Sequence, residues 1–315
     1  MTSFELLAAF TLDRILGDPL WLPHPVRWMG KLIGVADRFL RPRNPHRWKE
    51  RTGGLLLAAG LPLLVYFLSE QLIRQIEKVE PWGAKILTVL LAFTALAAGS
   101  LRSEALAIRS ALMASRLPEA RRLLSRIVSR TTEGMLERDI LRGAIESVAE
   151  NASDGVIAPL CYLLIGGVPL ALAYKAINTL DSMVGYRNER YRDFGWASAR
   201  LDDLANWIPA RLTALLMVVA AFFLREDPRE AWRILRRDGG KDDSPNSGRP
   251  EAAVAGALRI QLGGPVTYKS GRIEKPTIGD LGEPLNVESL DRAVRLMDVS
   301  SSLMVLICAG FLWTR

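Results

Sequence analysis

Five stretches of this 315-residue chain are nearly or wholly free of charge, and they limit its possible folds more than any other feature. Thr52 to Ser69, Ile86 to Leu101, Gly155 to Tyr174 and Val299 to Thr314 hold no Asp, Glu, Lys or Arg, and Leu204 to Leu224 holds only Arg211. Uncharged runs near the roughly 17–25 residues of a membrane-crossing helix argue against an ordinary soluble protein. With 49% hydrophobic residues and two cysteines, neither intrinsic disorder nor a disulfide-stapled secreted fold fits. The expected class is all-α, a polytopic membrane protein with about five transmembrane helices plus cytoplasmic or interfacial amphipathic helices. The spans are expected at 53–69, 84–101, 155–174, 204–224 and 296–313 of a single integral-membrane domain over 1–315. A helical cytoplasmic segment at 102–154 and a polar loop segment at 225–295 complete it.

The net charge of +7 does not point to nucleic acid, because 41 Lys and Arg are interleaved with 34 Asp and Glu and no basic stripe alternates with stacking aromatics. Membrane orientation accounts for it better. Arg27 to Arg51 carries eight basic residues against Asp37 and Glu50, whereas Glu70 to Lys85 carries three of each sign. The positive-inside rule then puts the first segment in the cytoplasm and the second outside. The start, MTSFE, lacks the basic region of a secretory signal, so no cleaved leader is expected. Cys161 and Cys308 sit in apolar runs and read as small buried residues, and His24 and His46 are too few for a histidine zinc site.

Residues 2–16 form an apolar helix candidate, and 102–150 repeats apolar residues at three-four spacing with arginine-rich polar faces, either solvated or lying on the membrane surface. Gly166-Gly167 and Pro169 interrupt the 155–174 run, which is either a full span or a broken, re-entrant pair of half-helices. Five spans starting inside would leave 175–203 on the outer side. That changes if 155–174 is re-entrant, if 1–17 inserts, or if the site lies within the membrane near its inner surface.

Three segments hold more polar groups than packing needs. In IESVAENASDG, 145–155, Glu146 and Glu150 share a helix face, with Asn151 and Asp154 at its end. Carboxylates so placed repel unless they gain a partner such as Mg²⁺; a solvated acidic helix end is the plain alternative. In 174–211, Lys175, Asn178 and Asp181 continue an apolar helix, followed by Arg187, Asn188, Arg190, Asp202, Asp203 and Arg211. Ionisable groups at span edges are costly, and arginines there offer bidentate contacts to phosphate or carboxylate. An ion-paired interfacial loop explains the middle of this segment but not Asn178, Asp181 and Arg211 together. In 244–265, Asn246 precedes Pro250 and Glu251 at a helix start whose small residues suit close packing or a flat ligand, and EKPTIG adds Lys275. No Walker A, GxGxxG or GxSxG motif is present.

LGDPLWLPHPVRWMGKLI, ESVAENASDGVIAPL, the long 174–211 block, SPNSGRPEAAVAGALRIQLGGP and EKPTIG resemble, in order, the motif blocks of the CobD/CbiB family. These are membrane-embedded adenosylcobinamide-phosphate synthases of cobalamin biosynthesis, and the likeness runs from about residue 12 to about residue 313. The resemblance implies a carbon–nitrogen ligase of the cytoplasmic membrane that joins adenosylcobyric acid to aminopropanol or its phosphate, using ATP and Mg²⁺. Matching residue types to the roles such a reaction needs, the expected catalytic set is Glu150, Lys175, Asn178 and Asp181, and the expected metal ligands are Glu146, Glu150 and Asp181. Asn151, Asp154, Arg187, Asn188, Arg190, Asp202, Asp203, Arg211, Asn246, Glu251 and Lys275 are expected to contact substrate or nucleotide. The lipid bilayer is a partner, other membrane enzymes of the pathway are further candidates, and nucleic acid is not expected. Two other readings stay open: a corrinoid transporter or binding protein, and an intramembrane Mg²⁺-dependent transferase built on Asn178-x-x-Asp181.

Overall fold

Thr2 opens the first helix with a reciprocal cap, its Oγ1 accepting the Glu5 N–H at 3.2 Å while the Glu5 carboxylate accepts the Thr2 N–H at 2.7 Å. The computed structural model describes residues 1–19, 21–41, 46–186, 188–268 and 271–314. Its helices divide between two compact units, the first of Met1–Ala97, Ala158–Asn206 and Val305–Arg315, the second of Ala98–Ile157 and Trp207–Met304.

In the first unit, α1 (Ser3–Leu16) packs on α4 (Pro81–Ala95), and Ser3 Oγ reaches the Ala309 carbonyl at 2.9 Å. Helix α2 (Pro25–Leu40) starts on a proline, where the missing N–H costs nothing, and buries Met29, Ile33 and Asp37 at four-residue spacing, packing on the helix Ala158–Val184. Helix α3 (Arg47–Val79) is long enough to cross a membrane. Phe194 lies so close to its start that a Cβ on Gly54 would stand 1.8 Å from the Phe194 carbonyl oxygen. Helix α8 (Ala158–Val184) is broken at Gly166 and Gly167, the latter at φ 65°, a left-handed conformation that glycine adopts without steric penalty. The interruption expected within 155–174 is therefore a break at these two glycines. Helix α9 (Trp196–Ala205) packs against α8 and α3.

The second unit is built from α5 (Ala98–Met113), α6 (Leu117–Leu124), α7 (Glu137–Ala152), α10 (Trp207–Phe223), α11 (Pro228–Asp238), α12 (Gly248–Leu258) and the residues up to 304 of α13 (Val287–Trp313). A single π turn, Ser153–Ile157, follows α7. Ile108, Leu124, Ile145, Met217 and Leu258 belong to one apolar core, and Arg102–Asp298 and Arg109–Asp291 ion pairs tie α5 to α13. Strands β1 (Leu262–Tyr268) and β2 (Gly271–Ile278) form an antiparallel pair with Val266 opposite Ile273. The Gly279 N–H, just beyond β2, donates to Asp238 at 2.9 Å, and the Thr131 N–H to the Thr267 carbonyl at 2.9 Å.

Among the described residues four helices are long and apolar enough to cross a membrane, Arg47–Val79, Pro81–Met113, Glu137–Val184 and Val287–Trp313, or five if Trp196–Ala205 and Trp207–Phe223 form one span. The chain is a multi-pass helical membrane protein with one small sheet. The segment 225–295, read from sequence as a polar loop, instead holds α11, α12 and the hairpin. Helix α12 is buried almost throughout, and a helix buried on all sides shows no amphipathic period to mark it.

Candidate functional sites

The first unit gathers its polar groups where the second half of α8 meets α9. Tyr174 donates its hydroxyl to Asn206 Oδ1 at 2.8 Å, and Asn206 Nδ2 donates to Asp202 Oδ2 at 3.0 Å. Asn178 Nδ2 approaches the other oxygen, Asp202 Oδ1, at 3.5 Å. One carboxylate is thus held at both oxygens by amides, a fixed orientation that a solvated residue would lack. Asp181 and Asp203 lie close enough for their charges to act on Asp202. Gly185 makes room for Asp181, since a Cβ there would stand 1.9 Å from Asp181 Oδ1. The fold brings Asn178, Asp181, Asp202 and Asp203 together, and Tyr174 and Asn206 complete the network.

The loop beyond α8 is committed largely to its own structure. Arg190 Nη2 donates to Asp37 Oδ2 at 3.0 Å, and Asn188 Oδ1 accepts the Tyr191 N–H at 3.0 Å. Arg51 Nε reaches Asp193 Oδ1 at 2.8 Å and its guanidinium lies over the Trp196 ring. Arg187 falls outside the described residues. Lys175 sits one turn before Thr179, whose hydroxyl bonds the Lys175 carbonyl at 2.6 Å.

The second unit holds a different cluster, centred on the first turn of α12. Glu251 is only 4% exposed; burial, then the nearby charges of Glu146 and Glu150, hold its carboxyl well above the usual carboxylate range. Lys275, brought in by β2, lies 3.1 Å from Asp242 Oδ2. Burial would lower the Lys275 ammonium, but Asp242 and Glu251 outweigh it and raise it. Asp242 is likewise penalised by burial, yet Lys275, the Ser244 N–H and Ser247 Oγ together bring its carboxyl below its ordinary value. Glu146 is engaged on both oxygens, by the Gly263 N–H at 2.8 Å and by the Arg130 guanidinium. Glu150, one turn on, is exposed.

Of the residues expected to meet substrate, Asn151 and Arg211 bond to carbonyls of their own helices and Asn246 is buried. Asn151 Nδ2 bonds the Ser147 carbonyl at 2.9 Å. Arg211 donates to the Trp207 carbonyl at 2.7 Å, with its guanidinium 4.0 Å from that indole. Asn246 is 5% exposed and precedes α12. Asp154 lies in the π turn. Arg130 and Asp242 belong to the cluster but escape sequence reasoning: one lies in an arginine-rich stretch that reads as a solvated face, the other in a charged loop. Among the described residues no group of three His, Cys, Asp or Glu is arranged to hold a metal ion. Glu146 and Glu150 belong to the second unit and Asp181 to the first.

The family model described as CobD/Cbib protein matches residues 6–297. Cobalamin biosynthesis protein CobD of Geobacter metallireducens is 53% identical over 307 residues, 96% of this chain and 95% of that protein. The protein of the same name from Klebsiella pneumoniae is 45% identical over 310 residues, 98% of this chain and 97% of its own. Cobalamin biosynthesis protein CbiB of Salmonella typhimurium is 44% identical over 303 residues, 96% of this chain and 95% of that one. No solved structure matches.

Proposed function

The chain belongs to the CobD/CbiB family, and from that membership we propose that it serves cobalamin biosynthesis by forming the amide between adenosylcobyric acid and aminopropanol, or aminopropanol phosphate, at the expense of ATP. The observation that carries this reading is the family match over 6–297, which spans both polar clusters. The cytoplasmic membrane is the proposed setting.

A carboxylate and an ammonium do not condense at neutral pH, so the propionate must be activated and the amine deprotonated. Lys275 supplies a cation for phosphoryl or propionate oxygens, and Glu150, whose charge acts on Lys275, is the proposed proton acceptor. Within the first unit, the oriented pair Asn178 and Asp202, with Asp181, has the chemistry to hold an ammonium group. Glu146 does not fit a resident Mg²⁺, since both its oxygens are occupied by donors of the protein. Magnesium instead enters as the counter-ion of ATP, part of the substrate. The intramembrane transferase reading gains from the approach of Asp181 to Asp202 and Asp203, but lacks a three-carboxylate metal group among the described residues.

The test is direct. Purified protein is incubated with adenosylcobyric acid, ATP, Mg²⁺ and either amine, and the amide product and ATP consumption are followed. Absence of both with both amines ends the synthase reading.

A further inference from the structure

Apart from Arg130, the arginine-rich stretch after α5 has no part in the reading above, yet it forms the wall of a cleft. Between α6 and the loop leading to α7 lies a cavity of about 690 Å³, a size that suits a small-molecule ligand. Arg121, Arg122 and Arg130 line it together with the hydroxyl residues Ser125, Ser129 and Thr132, and Glu133 is its only acid. Three guanidinium groups against one carboxylate give a net positive cleft. On a flat helix face the same arginines would be a solvated surface; here they share one concavity with hydroxyl donors.

The guanidinium groups are differently engaged. Arg121 uses Nε on the Met135 carbonyl at 2.8 Å, which folds the loop over the helix. The exposed Arg122 side chain has no hydrogen bond or ion pair among the described residues. Arg130, with a side chain 9% exposed, holds Glu146, and its buried Nη1 has no hydrogen-bond partner. One residue of the cleft wall therefore also belongs to the Glu146–Glu251–Lys275 cluster. Planar, always-charged donors beside hydroxyls are the chemistry of phosphate recognition.

We propose that this cleft binds a phosphoryl group of a substrate, carried either by a nucleoside triphosphate or by the phosphomonoester of the amine. The proposal rests on the synthase reading for the choice between those two sources, but its binding test does not need the amide to form. A ligand seated there has its charge met by Arg121 and Arg122 and lies against the residue that orients Glu146.

The probe is radiolabelled pyrophosphate, titrated onto the full-length protein in detergent without adenosylcobyric acid. Saturable binding is expected to weaken by at least about tenfold in Arg122→Glu and in Arg122→Gln, the loss of one charge-assisted contact. Because Arg122 is exposed, both variants are expected to fold, which their thermal unfolding verifies. Displacement of the probe by ATP or by aminopropanol phosphate supports the proposal, and the effective competitor names the source. No saturable binding, wild-type affinity in both variants, or displacement by neither compound overturns it. If binding behaves as expected while no amide forms, the cleft stands and the synthase reading falls. If amide forms while the variants bind pyrophosphate normally, the reverse holds.

Discussion

The backbone N–H of Gly263 donates to Oε1 of Glu146 at 2.8 Å, joining the start of the hairpin to the middle of α7. The other oxygen of Glu146 holds Arg130, and the two side chains are 5% and 9% exposed. Removing one member of such a pair strands a charge out of water and costs about 3–5 kcal/mol. Arg130→Met and Glu146→Leu are each expected to lower the thermal midpoint sharply, while the double variant recovers much of the loss. Glu146→Leu also leaves the Gly263 N–H unpaired, so its deficit should be the larger. Strictly additive losses would show that the two side chains do not act as a pair.

Stability is expected to respond to pH through Glu251 and Asp242 in opposite ways. The carboxyl of Glu251 is raised by burial and by Glu146 and Glu150, so its favourable contribution is present below its ordinary value of 4.5 and is lost as pH rises through the raised value. Glu251→Gln should therefore gain stability relative to wild type as pH rises. Asp242 is lowered, Lys275 outweighing burial, so its contribution is present above 3.8 and is lost as pH falls through the depressed value. Asp242→Asn should be destabilising at neutral pH, with the gap closing in acid. Unfolding midpoints in detergent across roughly pH 3–9 measure both trends.

Asp181 is expected to be needed for turnover but not for membrane insertion. Asp181→Asn should abolish amide formation, and Gly185→Ala should do nearly the same, because the added methyl would stand 1.9 Å from Asp181 Oδ1 and 2.7 Å from its carbonyl oxygen. Membrane-fraction yield and amide formation separate the two effects. Near-normal turnover of Gly185→Ala would mean that the position of this carboxylate is immaterial to the reaction.

Much of the membrane architecture is legible in the sequence, because exclusion of charge from a lipid-facing run is a local property. The interruption in α8 is legible only in part: Gly166-Gly167 and Pro169 mark the place, but the choice between a full span and a broken pair is made by the left-handed Gly167 in the fold. What is lost is whatever tertiary contact decides. Arg130 in a run of surface arginines looks solvated until the chain folds it onto Glu146, 16 residues away. Lys275 shows its role only when β2 carries it to Asp242, 33 positions back. Conversely, Arg190 looks like a ligand for phosphate but is met by Asp37, 153 residues earlier. Residue type predicts what a side chain can bind, while its partner in the fold decides whether it is available.

Helix α3 offers the cleanest test of orientation. Lys49 and Glu77 are both exposed on this one helix, 28 residues apart, hence about 42 Å at 1.5 Å per residue against a hydrocarbon core of about 30 Å. The two positions must therefore face opposite sides of the membrane. In a background where Cys161 and Cys308 are replaced by serine, a membrane-impermeant maleimide is expected to label Glu77→Cys in intact cells and Lys49→Cys only after permeabilisation. The exposed Arg236 on α11 then reports on the second unit, which carries Lys275 and Glu251. Cytosolic ATP requires Arg236→Cys to behave like Lys49→Cys. Labelling of Arg236→Cys in intact cells would place that unit on the outer side, where ATP is absent, and the ligase reading would have to be given up for this cluster.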